Sequence, residues 1–304
     1  MTPITNNMGW LKNILLFCCL VVSIKGRSQV VYKVVSPGRD TITYLIGTYS
    51  PLTREQFQFT PLLDSLLDEV ELVFTESFYE DKGLRQLANA RERIKIMSYP
   101  NQQRLEDVIG REEAGRVYAY YHTRFGIKKR VFKQLSYYIP IVMDQQIRYG
   151  YGNEQYIKPD RYLLHLAEKK GKRIYNLDQP ALTQGAFEAL AKLYPPDWLV
   201  QLTRNDSVYL QELKERRDCY LKQDTACLKA GLREKIKAHP AEYAQLITRR
   251  TLYWKGEIER NSQYSNLVLA SIDNLLEEEG GLLEYFRRKG YTIQLISRKN
   301  LFTK

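Results

Sequence analysis

The stretch from Leu267 to Ile296 constrains this chain more than any other. Leu267-Val-Leu-Ala270 is a short apolar run that reads as a buried strand, followed by Ser271-Ile272-Asp273-Asn274 and an acidic turn through Glu277, Glu278 and Glu279. Leu282, Leu283 and Phe286 then recur at helical spacing. Arg287, Arg288 and Lys289 fill the last turn, where cations suit the helix dipole, and Gly290 ends it. Tyr291 to Ile296 alternates and is β-branched, so it reads as a second strand. Strand, helix and strand in about thirty residues make a βαβ unit. Chemistry in open α/β sheets sits beyond the carboxyl ends of the strands, which directs attention to Ser271–Asn274.

The rest of the chain supplies partners for that unit. Val30 to Tyr44 predicts a β-hairpin turning at Ser36-Pro37-Gly38, with its second strand ending in Gly47-Thr48-Tyr49-Ser50. Pro61 to Leu72 predicts an amphipathic helix, and Leu72–Phe74 a buried strand with Glu76 just past its end. Asn101 to Ile147 reads as helical and interleaves Tyr118, Tyr120, Tyr121, Tyr137 and Tyr138 with bases. Residues 148–156 read as a Gly- and Tyr-rich loop, a lid or a plain connection. A helix from Pro159 to Gly171 leads into a strand at Arg173–Leu177 and then Asp178. An αα-hairpin at about 207–238 turns at Asp224, a candidate N-cap, and carries Cys219 and Cys227 on its two arms. A helix from Ala241 to Arg260 carries Arg250 and Trp254 and returns to Leu267.

The amino-terminal residues set the compartment. Lys12 followed by the apolar run Ile14–Ile24 and the small-residue pattern Gly26-Arg27-Ser28 predicts an export signal over residues 1–28, cleaved before Gln29. An uncleaved anchor is the alternative. The apolar run is shorter than an ordinary membrane span, so no transmembrane span is expected after cleavage. Cys219 and Cys227 are then the remaining cysteines, and an oxidising compartment invites a disulfide between them, two buried thiols being the alternative. The net charge of +11 is only slightly reduced by losing Lys12, Lys25 and Arg27. Such a surface suits an anionic surface or glycan, while export disfavours nucleic acid; plain solvation of the surface is the simpler reading.

Three separated stretches together resemble the TraB/GumN family, whose clan includes the Tiki proteases and erythromycin esterase-like proteins. They are the opening hairpin through Thr43-Tyr-Leu-Ile-Gly-Thr48, the segment from Pro159-Asp-Arg-Tyr-Leu-Leu to Asp178, and Arg250 to Ile258 with the Leu267 stretch. The resemblance covers about residues 30 to 297. It implies an α/β fold: a central mixed sheet flanked by helices, with a largely helical middle region. Residues 29–304 would form one domain with a helical insertion at about 101–150.

The resemblance also implies where a site stands and what it lacks. Active members carry two Gly-x-x-His motifs, in which a glycine permits a close turn and the imidazole binds a metal that activates water. Here those motifs read Gly47-Thr48-Tyr49-Ser50 and Ser271-Ile272-Asp273-Asn274, so both histidines are replaced. Glu76 and Arg250 match the family's glutamate and arginine. Asp178 replaces a glutamate, and Thr251 an asparagine. The candidate catalytic positions are thus Glu76 and Arg250, and the candidate binding positions Ser50, Asp178, Asp273 and Asn274. Serine and asparagine are poor ligands for a transition metal, so no metal or other cofactor is expected; a hard cation on Glu76 and Asp273 is the alternative. Arg250 is expected to pair with Glu76 across the vacated space. His122, His165 and His239 fall on helices or a connection. No Gly-x-Ser-x-Gly elbow, phosphate loop or zinc-type Cys spacing stands in for the missing pair.

Three functions compete on these grounds. The first is a pseudoenzyme that binds a ligand or partner through the former cleft. The second is a hydrolase with altered ligands. The third is a basic module for an anionic glycan or membrane. The missing histidines favour the first.

Overall fold

The structure is a computed structural model, which describes residues 30–53, 56–57, 61–76, 84–150 and 156–296. In chain order, strands β1 (Val30–Val35), β2 (Ile42–Thr48) and β3 (Leu52–Thr53) precede helix α1 (Pro61–Glu69) and strand β4 (Leu72–Thr75). Five helices follow: α2 (Leu84–Met97), α3 (Leu105–Ile109), α4 (Arg111–Phe125), α5 (Lys129–Leu135) and α6 (Pro140–Gly150). Strand β5 (Tyr156–Ile157), helix α7 (Pro159–Lys169) and strand β6 (Arg173–Asn176) return to the sheet. Then come α8 (Pro180–Leu193), α9 (Pro196–Arg204), α10 (Ser207–Leu221), α11 (Thr225–Ala238), α12 (Pro240–Tyr243) and α13 (Arg249–Arg260). Strand β7 (Asn266–Ser271), helices α14 (Ile272–Leu276) and α15 (Leu282–Arg288) and strand β8 (Thr292–Leu295) close the chain. Of the predicted 148–156 loop, residues 151–155 lie outside the described residues, and α6 runs through Gly150.

Six strands share one mixed sheet in the order β6-β4-β7-β2-β1-β8, as the α/β reading expects. Strands β4 and β6, β4 and β7, and β2 and β7 pair in parallel, whereas β1 pairs antiparallel to both neighbours. Strand β4 is fully buried and β7 nearly so, because helices cover both faces of a parallel centre; this is why Leu72-Val-Phe and Leu267-Val-Leu-Ala show no polar alternation. The edge strand β8 alternates exposed and half-buried positions, and the opposite edge strand β6 is exposed except at Ile174.

The Leu267–Ile296 unit needs a correction. Strand β8 does not pair with β7: it docks on β1 at the edge, with β2 and β1 lying between the two parallel strands. The connection is also two helices rather than one, because Ser271 caps a short helix at once, its hydroxyl accepting from the Asn274 N–H at 3.4 Å. The predicted helix from Ala241 to Arg260 is likewise interrupted, by a π-helical turn at Ala244–Thr248 that immediately precedes Arg250.

Two apolar cores form. One packs the sheet against α1, α7, α13, α14 and α15, with Trp254, Phe74 and Phe286 among its largest members. The other is helical and is built from Tyr99, Tyr118, Tyr121, Phe132 and Met143, joined by Leu199 and Leu202 of α9. The tyrosines of the middle region therefore pack largely on other aromatic rings, as in the Tyr118–Phe132, Tyr121–Phe132 and Tyr120–Tyr121 pairs. No helix among the described residues is long and apolar enough to cross a membrane.

Helices α10 and α11 make the antiparallel hairpin. Asp224 caps α11 by accepting from the Cys227 N–H at 2.9 Å, and Gln223 takes the left-handed conformation that reverses the chain. This brings the Cα atoms of Cys219 and Cys227 to 6.0 Å, and their sulfurs are bonded. Replacing both cysteines by serine is expected to lower the unfolding free energy by roughly 2–3 kcal/mol, since closing even a short loop restricts the unfolded chain. Urea titration of wild type and variant, with alkylation of the unreduced protein to count free thiols, checks this; two alkylatable thiols in the wild type would remove its basis.

Candidate functional site

Strands β2, β4, β6 and β7 are mutually parallel, so their carboxyl ends lie on one rim of the sheet. The residues that follow them are Tyr49, Glu76, Leu177-Asp178 and Ile272 to Asn274. Backbone bonds hold the rim in register: Glu76 N–H donates to Leu269 O at 3.2 Å, and Leu177 N–H to Thr75 O at 2.8 Å.

Arg250 stands at the centre of what gathers there. Its Nε and Nη2 donate to the two carboxylate oxygens of Asp178 at 3.1 and 2.6 Å, a bidentate pair. The Trp254 Nε1–H donates to Asp178 Oδ1 at 2.9 Å, and the guanidinium carbon sits 4.8 Å from the Trp254 ring centroid. Arg250 and Trp254 are one helical turn apart on α13, so a single helix face supplies both donors. The Arg250 and Asp178 side chains are 13 and 6 % exposed. The expected pairing of Arg250 with Glu76 is therefore displaced. Glu76 Oε2 lies 3.5 Å from Nη2, an ion pair rather than a direct hydrogen bond, because Asp178 presents both oxygens to the fork.

Glu76 takes its close contact from Asn274, whose Nδ2 donates to Oε2 at 2.7 Å. The Ser271 backbone also donates to the carboxylate. Burial nevertheless dominates, and despite the opposing pull of Arg250 the Glu76 carboxyl is pushed up to about 7, with Asp160 and Asp178 adding to the rise. Asp160, in the first turn of α7, was not among the residues picked out from sequence. Its Oδ1 is buried without a hydrogen-bond partner among the described residues, burial raises its pKa, and the Thr48 hydroxyl offers partial relief.

The other expected positions fall elsewhere. Ser50 is exposed and makes none of these contacts. Asp273 turns to Arg216 of α10, with which it forms a close ion pair. Thr251 is fully buried and its hydroxyl donates to Gly280 O at 2.7 Å, fastening α13 to the turn before α15. Helix α10 also lies over the end of β2. The Tyr220 hydroxyl donates to Gly47 O at 2.7 Å, and the Tyr220 ring stacks on Tyr49 at 5.3 Å. Gly47 is needed for close approach, since a Cβ there would stand 2.5 Å from Ile272 Cδ1. Arg216, Tyr220 and Trp254 carry no signal of a site in the sequence, because each is an ordinary helix residue until the tertiary fold places it.

These residues do not fit the metal that the resemblance implies. Both Asp178 oxygens are taken by Arg250 and Trp254, Glu76 is engaged by Asn274, and a guanidinium stands between the two carboxylates. Among the described residues no three His, Cys, Asp or Glu side chains gather as a ligand set.

A mixed α/β sheet whose polar residues converge on the carboxyl rim of its parallel strands defines an α/β protein of the strand-end-site class. More narrowly, the TraB/PrgY/gumN family profile matches residues 30–295, and the chain belongs to that family. No curated protein and no solved structure matches it.

Two outcomes follow from the cluster. Arg250→Ala strands two buried carboxylates and is expected to cost roughly 3–5 kcal/mol in chemical denaturation, with partial recovery in Arg250→Ala/Asp178→Asn. The second concerns pH. Glu76 rises from about 4.5 to about 7 on folding, so the folded state binds its proton more tightly. The resulting cost is absent below pH 4.5, grows as pH rises to 7 and is constant above, reaching roughly 3 kcal/mol. Stability should thus fall between pH 4.5 and 7 in the wild type and fall less in Glu76→Gln, as read from urea midpoints across that range.

Proposed function

We propose that this chain is an exported, non-hydrolytic member of the TraB/PrgY/gumN family that acts by binding, its former reaction centre serving as an internal tie. One observation carries the reading: Arg250 is clamped on Asp178 and ion-paired to Glu76, while Asn274 stands in a histidine place and donates to Glu76. Most of the cluster's hydrogen-bonding groups are turned on one another, with Asp160 Oδ1 and Asn274 Oδ1 lacking a partner among the described residues. Helix α10 adds to this by seating Tyr220 on Gly47 and Arg216 on Asp273, over the rim where a substrate would enter. Export is supported by the amino-terminal pattern of Lys12 and Ile14–Ile24 and by the bonded Cys219–Cys227 pair.

A second reading keeps hydrolysis. Glu76, with a pKa pushed up to about 7, stands where a general base would be poised at neutral pH. The two readings separate cleanly. Calorimetric titration with Mn²⁺ or Co²⁺ is expected to show no micromolar binding, and peptide and ester substrates to be cleaved at the uncatalysed rate. Turnover that follows an apparent pKa near 7 and disappears in Glu76→Gln would replace the first reading by the second.

A further inference from the structure

A groove far in sequence from the strand-end cluster is lined by the carboxyl-terminal half of α2, the segment after it and the end of α5, with a volume of about 530 Å³. That volume lies within the range of small-ligand sites. Arg91, Ile94, Lys95 and Ser98 occur at helical spacing and line one wall, while Gln134, Tyr137 and Tyr138 line the other. No acidic residue is among the described lining residues. Neither Arg91 nor Lys95 makes an ion pair with a described carboxylate, in contrast to Arg116, Arg204, Arg260, Arg287 and Arg288 on other helices. A further cation, Arg104, covers the Tyr137 ring at 5.3 Å and donates from Nε to its hydroxyl at 3.0 Å.

The backbone at the lip is held in an uncommon conformation. Asn101 and Gln102 have φ of 56° and 54°, two consecutive non-glycine residues in the left-handed region, and Gln102 lines the groove. Such strain gathers at ligand clamps, where the surrounding structure enforces it. Here Pro100 and the Gln103 N–H to Pro100 O bond (3.2 Å) close the turn, and the Tyr99 N–H to Tyr137 O bond (2.8 Å) ties it to the opposite wall.

We propose that this groove binds an acidic oligosaccharide, through its carboxylate or sulfate groups and its hydroxyls. Two cations that pair with no described carboxylate select an anion. Two primary amides, Gln102 and Gln134, match the paired donors and acceptors of vicinal hydroxyls. Ile94, which is 51 % exposed, and the tyrosine rings give the apolar contact that a sugar's C–H face requires. A purely phosphate-directed site would not need the amides and rings, and a lipid surface would not need a concave one.

Isothermal titration of the mature protein with a galacturonic acid trisaccharide, and with its neutral galactose counterpart, tests this. The acidic sugar is expected to bind at least tenfold more tightly. Arg91→Ala/Lys95→Ala should weaken it at least tenfold, whereas Lys129→Ala/Arg130→Ala, which removes the same charge from the exposed start of α5, should leave it within twofold. Gln134→Ala should weaken acidic and neutral sugars alike. Both double variants exchange exposed side chains, and equal thermal midpoints would show that both are folded. Equal affinity for the two sugars, equal loss in the two double variants, or inorganic phosphate binding as tightly as the trisaccharide would overturn the proposal. So would vesicles containing phosphatidylglycerol that displace the sugar, an outcome that points to a lipid surface instead.

Discussion

Charge balance at the buried end of the sheet governs the arrangement of this molecule. Glu76 and Asp178 gather near one guanidinium, that of Arg250, at the carboxyl rim of four parallel strands, and Asp160 lies close enough to Glu76 to push its pKa further up. Ionised carboxylates in such a place are costly unless paired and hydrogen-bonded. Asp178 receives both, from the Arg250 fork and the Trp254 indole. Glu76 receives an amide and a more distant share of the guanidinium, and burial raises its pKa. The proton is then part of the balance, because a neutral Glu76 relieves the excess of negative charge.

The surrounding elements are positioned by the same requirement. Arg250 and Trp254 must both point at Asp178, and the π-helical turn at Ala244–Thr248 sets the rotation of α13 that permits it. Thr251, on the next position of that helix, holds Gly280 and so places the turn leading into α15. Glu277 supports the same turn by accepting from the Glu279 N–H at 3.0 Å and from the Gly280 N–H. On the other side Tyr220 and Arg216 bring the disulfide-linked hairpin onto the rim. A centre that binds substrate needs groups left unsatisfied until substrate arrives. Here most of the polar groups already have protein partners, Asp160 Oδ1 and Asn274 Oδ1 being exceptions among the described residues.

The helical region is built independently of the rim. That region has its own apolar core, so its outer faces are free to vary in charge without disturbing the sheet. The groove beside α2 carries Arg91 and Lys95, which pair with no described carboxylate, beside Tyr137 and Tyr138.

Much of the fold could be read along the chain, because strand and helix periods, Pro and Gly punctuation and the Asp224 cap are local properties set by neighbours in sequence. Glu76, Asp178 and Asn274 were also legible as rim residues, since each stands just past a strand, and Arg250 was legible through the family resemblance. Which of them touch was not. The sequence alone cannot tell that Asp178 takes the guanidinium from Glu76, that Asp273 turns to Arg216, that Ser50 stays at the surface, or that Asp160 is buried. Nor does it show that β8 skips β7 to pair with β1. Those outcomes depend on side-chain directions and crossovers among segments far apart in sequence, as in the Tyr32–Leu295 pairing of β1 with β8. A shift of one residue in a helix, such as the π turn before Arg250 supplies, turns a side chain by about a quarter of a circle and changes its partner. Local chemistry determined which residues were available at the rim, and tertiary packing decided which of them pair.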